Sequence, residues 1–195
     1  SFNEAASLPI AALTALNGLR KCEAGKDTEG LINGGTGGVG HFAVQIARAR
    51  GARVTATCSR ANANLALNLG ADVTIDHSTG ELWSSGRKFD AIFDAHGHMK
   101  AWKIHRLLKP GGAYASTLFI PPPYLAIAVT RLLHGKKLMS ANMRSLDEDW
   151  RELERLYTEG NLRPLTENVF PLERASDAFD LAMRGGFRGK IVVTV

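Results

Sequence analysis

The chain has 195 residues, 45% of them hydrophobic, which supplies one sizeable core and favours one domain over two. A formal net charge of +5 comes from Lys and Arg scattered along the chain rather than gathered in a stripe with aromatics between them. That argues against a nucleic-acid partner and suits a mildly basic pocket for a phosphorylated small molecule. No apolar run reaches the length of a membrane span, since even 121–135 is broken by its leading prolines and by Arg131.

In chain order, Glu4 to Arg20 carries Ala5, Leu8, Ala12, Leu13 and Leu16 at helical spacing and is expected to be a helix, with Pro9 kinking it or marking its first turn. After the turn residues Gly25 to Thr28, Gly30 to Asn33 is a short strand, and the glycines that follow open a helix from Val39 to about Arg50. ARVTATCS (52–59) and ADVTIDH (71–77) are β-branched strands, separated by a helix over Leu65 to Leu69 that Gly70 ends. FDAIFDAHG (89–97) is a further strand, Trp102 to Leu108 a helix stopped by Pro110 and Gly111, and GAYASTLF (112–119) the next strand. Beyond Pro123 come a helix from Tyr124, strand KKLMSAN (136–142), helix Asp147 to Glu159, strand ENVF (167–170), helix Glu173 to Arg184 and strand GKIVVTV (189–195). This alternation predicts βαβ units, hence an α/β fold with a doubly wound parallel sheet covered on both faces.

Cys22 and Cys58 lie far apart with no Cys or His at ligand spacing, so neither a zinc site nor a disulfide framework is expected. Reduced cysteines and an opening without a basic, apolar leader fit a reducing compartment, and a cytoplasmic location is expected.

Five of the seven residues from Gly34 to Gly40 are glycine. A helix start leaves backbone N–H groups unpaired and carries partial positive charge, so it attracts phosphate wherever the backbone can come close. In the register Gly35, Thr36, Gly37, Gly38, Val39, Gly40, the first glycine is expected to turn tightly out of the strand, Gly37 to clear space for a pyrophosphate, and Gly40 to let helix and sheet pack closely. A strand before and a helix after are the context this dinucleotide motif requires.

Other glycine-loop chemistries fail on single residues. A P-loop needs Lys and Ser or Thr where His41 and Phe42 stand. The Tyr and Lys pair of short-chain reductases is missing, because Tyr114, Tyr124 and Tyr157 are followed four residues on by Leu118, Ala128 and Asn161. A methyltransferase that binds S-adenosylmethionine would place acids before the glycines and at the end of the second strand; Asn33 occupies the first place, and nothing acidic occurs between Glu29 and Asp72. The same gap favours NADP(H) over NAD(H), since a carboxylate there would repel a 2'-phosphate whereas Ser59 and Arg60 are donors suited to it.

The segments ASLPIAALTALNGL, LINGGTGGVGHFAVQIARARGARVTATCS, LGADVTIDH, FDAIFDAHG, RLLKPGG and GKIVVTV resemble, in order and spacing, the zinc-free quinone oxidoreductase branch of the medium-chain dehydrogenase/reductase superfamily. The resemblance implies that a GroES-like β-rich domain precedes this region in relatives. Residues 1–195 would then be a single NADP-binding Rossmann domain, with 1–24 a leading interdomain helix and 185–195 a segment that returns to the absent half. It implies that the backbone of Gly37, Gly38, Val39 and Gly40 carries the pyrophosphate and that Ser59 and Arg60 carry the 2'-phosphate, the arginine standing one position earlier than in many relatives. His77 would sit beside the adenine, His96 and Gly97 by the nicotinamide ribose, Thr117, Leu118 and Phe119 at the nicotinamide end, and Lys190 would face the cofactor from the C-terminal segment. His96 and His98 alone make a poor metal site, and none is expected.

The implied reaction is hydride transfer from NADPH to a quinone or an α,β-unsaturated carbonyl, for which no catalytic residue is assigned here. A non-enzymatic reading stands beside it, in which the chain is an NADPH-binding module without turnover of its own. Relatives pair through an edge strand, so 136–142 is the expected homodimer edge, although its lysines could equally guard against pairing.

Overall fold

The computed structural model describes residues 1–118, 135, 137–141 and 145–195. The expected helix from Tyr124, Phe119 and both ends of the segment 136–142 lie outside the described residues.

Helix α1 (Phe2–Lys21) runs straight through Pro9. Its start is a capping box, in which Ser1 Oγ accepts from the Glu4 amide and the Glu4 carboxylate accepts from the Ser1 ammonium at 2.7 Å. Strand β1 (Glu29–Asn33), helix α2 (Gly40–Ala49), strand β2 (Arg53–Cys58), a 3₁₀ turn (Arg60–Asn62), helix α3 (Ala63–Asn68) and strand β3 (Val73–Asp76) follow. Then come α4 (Glu81–Ser84), β4 (Phe89–Asp94), α5 (Ala101–Leu107), β5 (Leu108–Ser116), β6 (Lys137–Ser140), α6 (Asp147–Thr158), β7 (Asn168–Pro171), α7 (Ala175–Arg184) and β8 (Ile191–Thr194).

Six strands form a parallel sheet in the order β3-β2-β1-β4-β5-β6. The order reverses between β1 and β4, and an α/β sheet opens a crevice at its carboxyl edge at such a switch point. Alternate residues of each strand enter different cores. Ile32, Val54, Ala56, Phe93 and Ala115 pack with α1 and α2, whereas Leu31, Ile75, Ile92 and Tyr114 pack with Leu82 of α4 and Ile104 and Leu107 of α5. The doubly wound expectation is met.

Three details differ from the sequence reading, the first being α4, a short helix where none was expected. The strand after α5 begins at Leu108 rather than at Gly112, and its register against β4 jumps from Phe89↔Leu108 to Ala91↔Ala113, so Pro110 and Gly111 form a bulge inside the strand. Strands β7 and β8 pair only with each other, as a separate parallel ribbon.

Small residues let α1 lie close to the sheet. Ala11, Ala12 and Ala15 are buried, and Gly18 faces the ring of Phe93. Arg20 on the same helix reaches the buried Asp149 and, at 2.6 Å, Glu152, which also receives Arg50 at 2.7 Å, so α1, the end of α2 and α6 meet at one charge cluster. A Cβ at Gly18 would come under 3.0 Å from ring atoms of Phe93. Exchanging a helical glycine for alanine normally gains about 1 kcal/mol, but overpacking costs about 1–3 kcal/mol. Gly18→Ala is therefore expected to destabilise, by about 1 kcal/mol or more in urea unfolding, and Phe93→Leu in the same chain should relieve it.

Candidate functional site: the glycine loop and the carboxyl edge of the sheet

Between β1 and α2 the chain makes its reversal in six residues, 34–39. Gly34 takes a left-handed backbone, with φ +79°. Gly35 is needed for a different reason, since a Cβ there would lie 2.7 Å from Ala56 Cβ and 3.2 Å from Val44 Cγ2. At Gly40 a Cβ would overlap the Gly34 carbonyl oxygen, and at Gly37 it would press on that same oxygen at 3.4 Å. The loop thus folds over one carbonyl and brings the start of α2 against the end of β1.

The amides of this turn divide into two sets. Gly34 N–H donates to Thr57 Oγ1 at 2.9 Å, Gly35 N–H to the Thr57 carbonyl at 2.8 Å and Gly37 N–H to the Gly34 carbonyl at 3.1 Å. Among the described residues the amides of Thr36, Gly38, Val39 and Gly40 have no hydrogen-bond partner, the last three at the start of α2, and Val39 caps α2 without a side-chain bond. Three free donors at a helix start, in a cradle that side chains would fill, fit a diphosphate.

A cavity of about 240 Å³ lies over these amides. Thr36, Gly37, Gly38, Val39 and Gly40 line it, together with Ser59, Asn62, His77 and His96 and with Gly186 and Phe187 from the C-terminal segment. A second cavity of about 370 Å³ adjoins it and shares Gly34, His77 and His96; its walls include Asn33, Thr57, Asp76, Trp83, Lys100 and Lys103. Lys103 Nζ stands 5.1 Å from the centre of the Trp83 ring.

The structure therefore brings together Thr36 to Gly40, Ser59, His77 and His96 out of the residues picked from sequence. Gly35 is packed behind them. Arg60 is exposed at the start of the 3₁₀ turn that follows Ser59. Gly97, with φ +78°, donates its amide to Asp94 at 2.8 Å. Thr117 donates its amide to the Asp94 carbonyl at 3.1 Å, and Leu118, half exposed, packs where a Cβ on Gly97 would go. Lys190 lies beside Gly38, its Cδ 3.5 Å from the space a Cβ there would occupy. Phe119 is outside the described residues.

Sequence reasoning passed over Asn62, Gly186, Phe187 and Trp83, and gave Asn33 no role beyond not being an acid. It also passed over His41, the fully buried second residue of α2. Its Nδ1 lies 2.9 Å from the Gly37 carbonyl, and its Nε2 lies 3.3 Å from the Leu165 amide. A carbonyl can only accept and an amide can only donate, so the ring is neutral with its proton on Nδ1. One turn on, Gln45 takes the Arg163 amide at 2.8 Å and donates to the Arg163 carbonyl at 3.0 Å. Leu165 accepts in turn from Lys190 N–H at 2.8 Å, and Gly189 N–H donates to the Thr36 carbonyl at 3.0 Å. The glycine loop is thereby braced from behind by two distant segments.

Burial drives the His41 imidazole down from 6.5 to about 4. The unfolded chain takes up a proton near pH 6.5, the folded chain only near 4, so stability is full above pH 6.5 and falls as pH drops toward 4. The loss is about 3 kcal/mol, at about 1.36 kcal/mol for each pH unit between the two values. Urea unfolding as a function of pH should show this fall, and His41→Asn should flatten it across that window.

Comparison with known proteins agrees with this geometry. Residues 69–193 match the family described as zinc-binding dehydrogenase. A mitochondrial NAD(P)H oxidoreductase of Mus musculus is 35% identical over 100% of this chain and 56% of its own length. A chloroplast envelope quinone oxidoreductase homolog of Arabidopsis thaliana is 33% identical over 97% of this chain and 61% of its own. The structure of the quinone oxidoreductase from Coxiella burnetii superposes with a TM-score of 0.85 at 32% identity, over 98% of this chain and 60% of that one. The chain thus spans about three fifths of the length of the relatives it matches. No helix among the described residues is long and apolar enough to cross a membrane. The chain belongs to the zinc-binding dehydrogenase family, in the quinone oxidoreductase branch of the medium-chain dehydrogenase/reductases, and corresponds to their cofactor-binding half.

Proposed function

We propose that this chain binds NADP(H) and forms the cofactor half of a zinc-independent oxidoreductase that passes hydride to a quinone or an α,β-unsaturated carbonyl. The carrying observation is the set of free amides at Gly38, Val39 and Gly40, in a cavity whose β2 side offers Ser59 and Asn62 rather than a carboxylate. The amides hold the diphosphate, aided by the start of α2 and by the ammonium of Lys190. Ser59 and the exposed Arg60 take the 2'-phosphate, with Arg60 swinging from the surface.

Asp76, the register partner of Cys58 on β3, is the nearest competing acid in sequence logic. Its Oδ1 accepts from the Ser78 amide and hydroxyl at 2.9 and 2.8 Å, bonds that hold the carboxyl below the usual carboxylate range, and it lines the larger cavity rather than the one over the free amides. His77 then lies beside the adenine, His96 and Gly97 beside the nicotinamide ribose, and Thr117, Leu118 and Phe119 at the reactive end. The bound cofactor supplies the hydride; the chain orients it and excludes water.

A second reading is that residues 1–195 by themselves bind the cofactor without turnover. In either reading residues 1–195 act as one cofactor-binding domain. The free, buried thiols of Cys22 and Cys58 support a reducing compartment, here taken as the cytoplasm. Strand β6, the outer strand of the sheet, is the proposed homodimer edge within 136–142.

Calorimetric titration with NADPH and NADH tests the reading. NADPH is expected to bind at least about tenfold more tightly, and Arg60→Ala to remove most of that preference while leaving NADH unchanged, the size expected for one charge-assisted hydrogen bond. Equal affinity, or no heat with either, would reject NADP(H). Nicotinamide absorbance followed with a quinone or an enone then separates an active chain from a binding module.

A further inference from the structure

A line of hydrogen bonds crosses the carboxyl edge of the sheet beneath both loops that frame the two cavities. Gly34 N–H donates to Thr57 Oγ1 at 2.9 Å, the Thr57 hydroxyl donates to Asn33 Oδ1 at 2.6 Å, and Asn33 Nδ2 donates to Asp94 Oδ1 at 2.7 Å. Asp94 is 0% exposed. It also receives the Gly97 amide at 2.8 Å, the Met99 amide at 2.9 Å and the Tyr114 hydroxyl at 3.0 Å.

Every link has a single sense. An amide can only donate, so the Thr57 oxygen accepts from Gly34, and its own proton goes to Asn33 Oδ1 because the other end of Asn33 faces a carboxylate and must be the NH₂. That turns the Asn33 oxygen toward Thr57 and its NH₂ toward Asp94, which can be only an acceptor there. Asp94 thus spends two donors each on its two oxygens, all of them neutral, and burial excludes water as a substitute. Two of those donors are backbone amides of the loop after β4, which carries His96 into both cavities. The other end of the line fixes Gly34, whose carbonyl is the pivot of the glycine turn.

We propose that Asp94 is the positioning residue of this site. It holds the entry of the glycine loop through Asn33 and Thr57, and the loop bearing His96 through the amides of Gly97 and Met99. Both walls of the crevice are therefore set before a ligand arrives, which removes an ordering cost from binding. The inference rests on the NADP(H) reading for the identity of that ligand.

Reversing one link tests it. Asn33→Asp keeps an acceptor for Thr57 but turns an oxygen on Asp94. In the 195-residue chain, Asn33→Asp is expected to weaken NADPH binding about tenfold and to speed hydrogen exchange at the Gly97 and Met99 amides of the ligand-free protein by a similar factor, the scale of one lost buried hydrogen bond. A generally loosened fold would speed exchange throughout rather than at the Gly97 and Met99 amides.

NADPH affinity within about twofold of wild type in folded Asn33→Asp, or exchange sped throughout the chain rather than at the Gly97 and Met99 amides, would overturn the positioning role. Should Asn33→Asp not fold, Thr57→Val, which cuts the same line without adding charge, carries the measurement with the same expected direction. A wild-type chain that binds no NADPH would reject the cofactor reading and with it the proposed ligand. Wild-type binding with unaffected variants would reject Asp94 alone.

Discussion

The architecture depends on one close approach, the Gly34 carbonyl oxygen lying where a side chain at position 40 would have to be. Because that volume is empty of carbon, α2 can begin directly over the end of β1, with three amides facing the crevice instead of being covered by the turn. Their partial charge and the approach of an anion are two consequences of one steric fact. The rest of α2 serves this placement, since Phe42, Ala43, Val44 and Ile46 are all fully buried.

A loop this free of side chains needs support from outside itself, and it receives support on two sides. From behind, His41 and Gln45 fasten the stretch 163–165, which fastens Lys190, while Gly189 returns to Thr36. From below, Thr57, Asn33 and Asp94 fix its first residue. Both supports are hydrogen-bonded and held largely away from water, where a hydrogen bond is strong and a missing partner is costly. The arginine–carboxylate pairs sit elsewhere, at the junction of Arg20, Arg50 and Glu152, where they join helices rather than shape the crevice.

The succession of strands and helices was legible because β-branched runs such as Val54 to Thr57 alternate with helical spacing, and tertiary packing did not override those local preferences. The bulge at Pro110 was not, since two residues that read as a stop can also sit within a strand that slips its register. Within the site, glycine spacing was enough to find the loop, but not to tell Gly34, which takes the left-handed backbone, from Gly35, which packs against Ala56 and Val44. His41, Asn33 and Asp94 could not be read as a supporting frame. Their partners lie 124 and 61 residues away, a separation that no local pattern encodes.

The walls of the smaller cavity come from residues 34, 36–40, 59, 62, 77, 95–96 and 186–187, pieces drawn from almost the whole length of the chain. No partially assembled intermediate can offer them together, because β1 must already be inserted between β2 and β4 and the C-terminal segment already laid across the loop. Whatever occupies that crevice therefore counts only finished molecules, and by mass action its concentration in the cell becomes a term in how many of them there are.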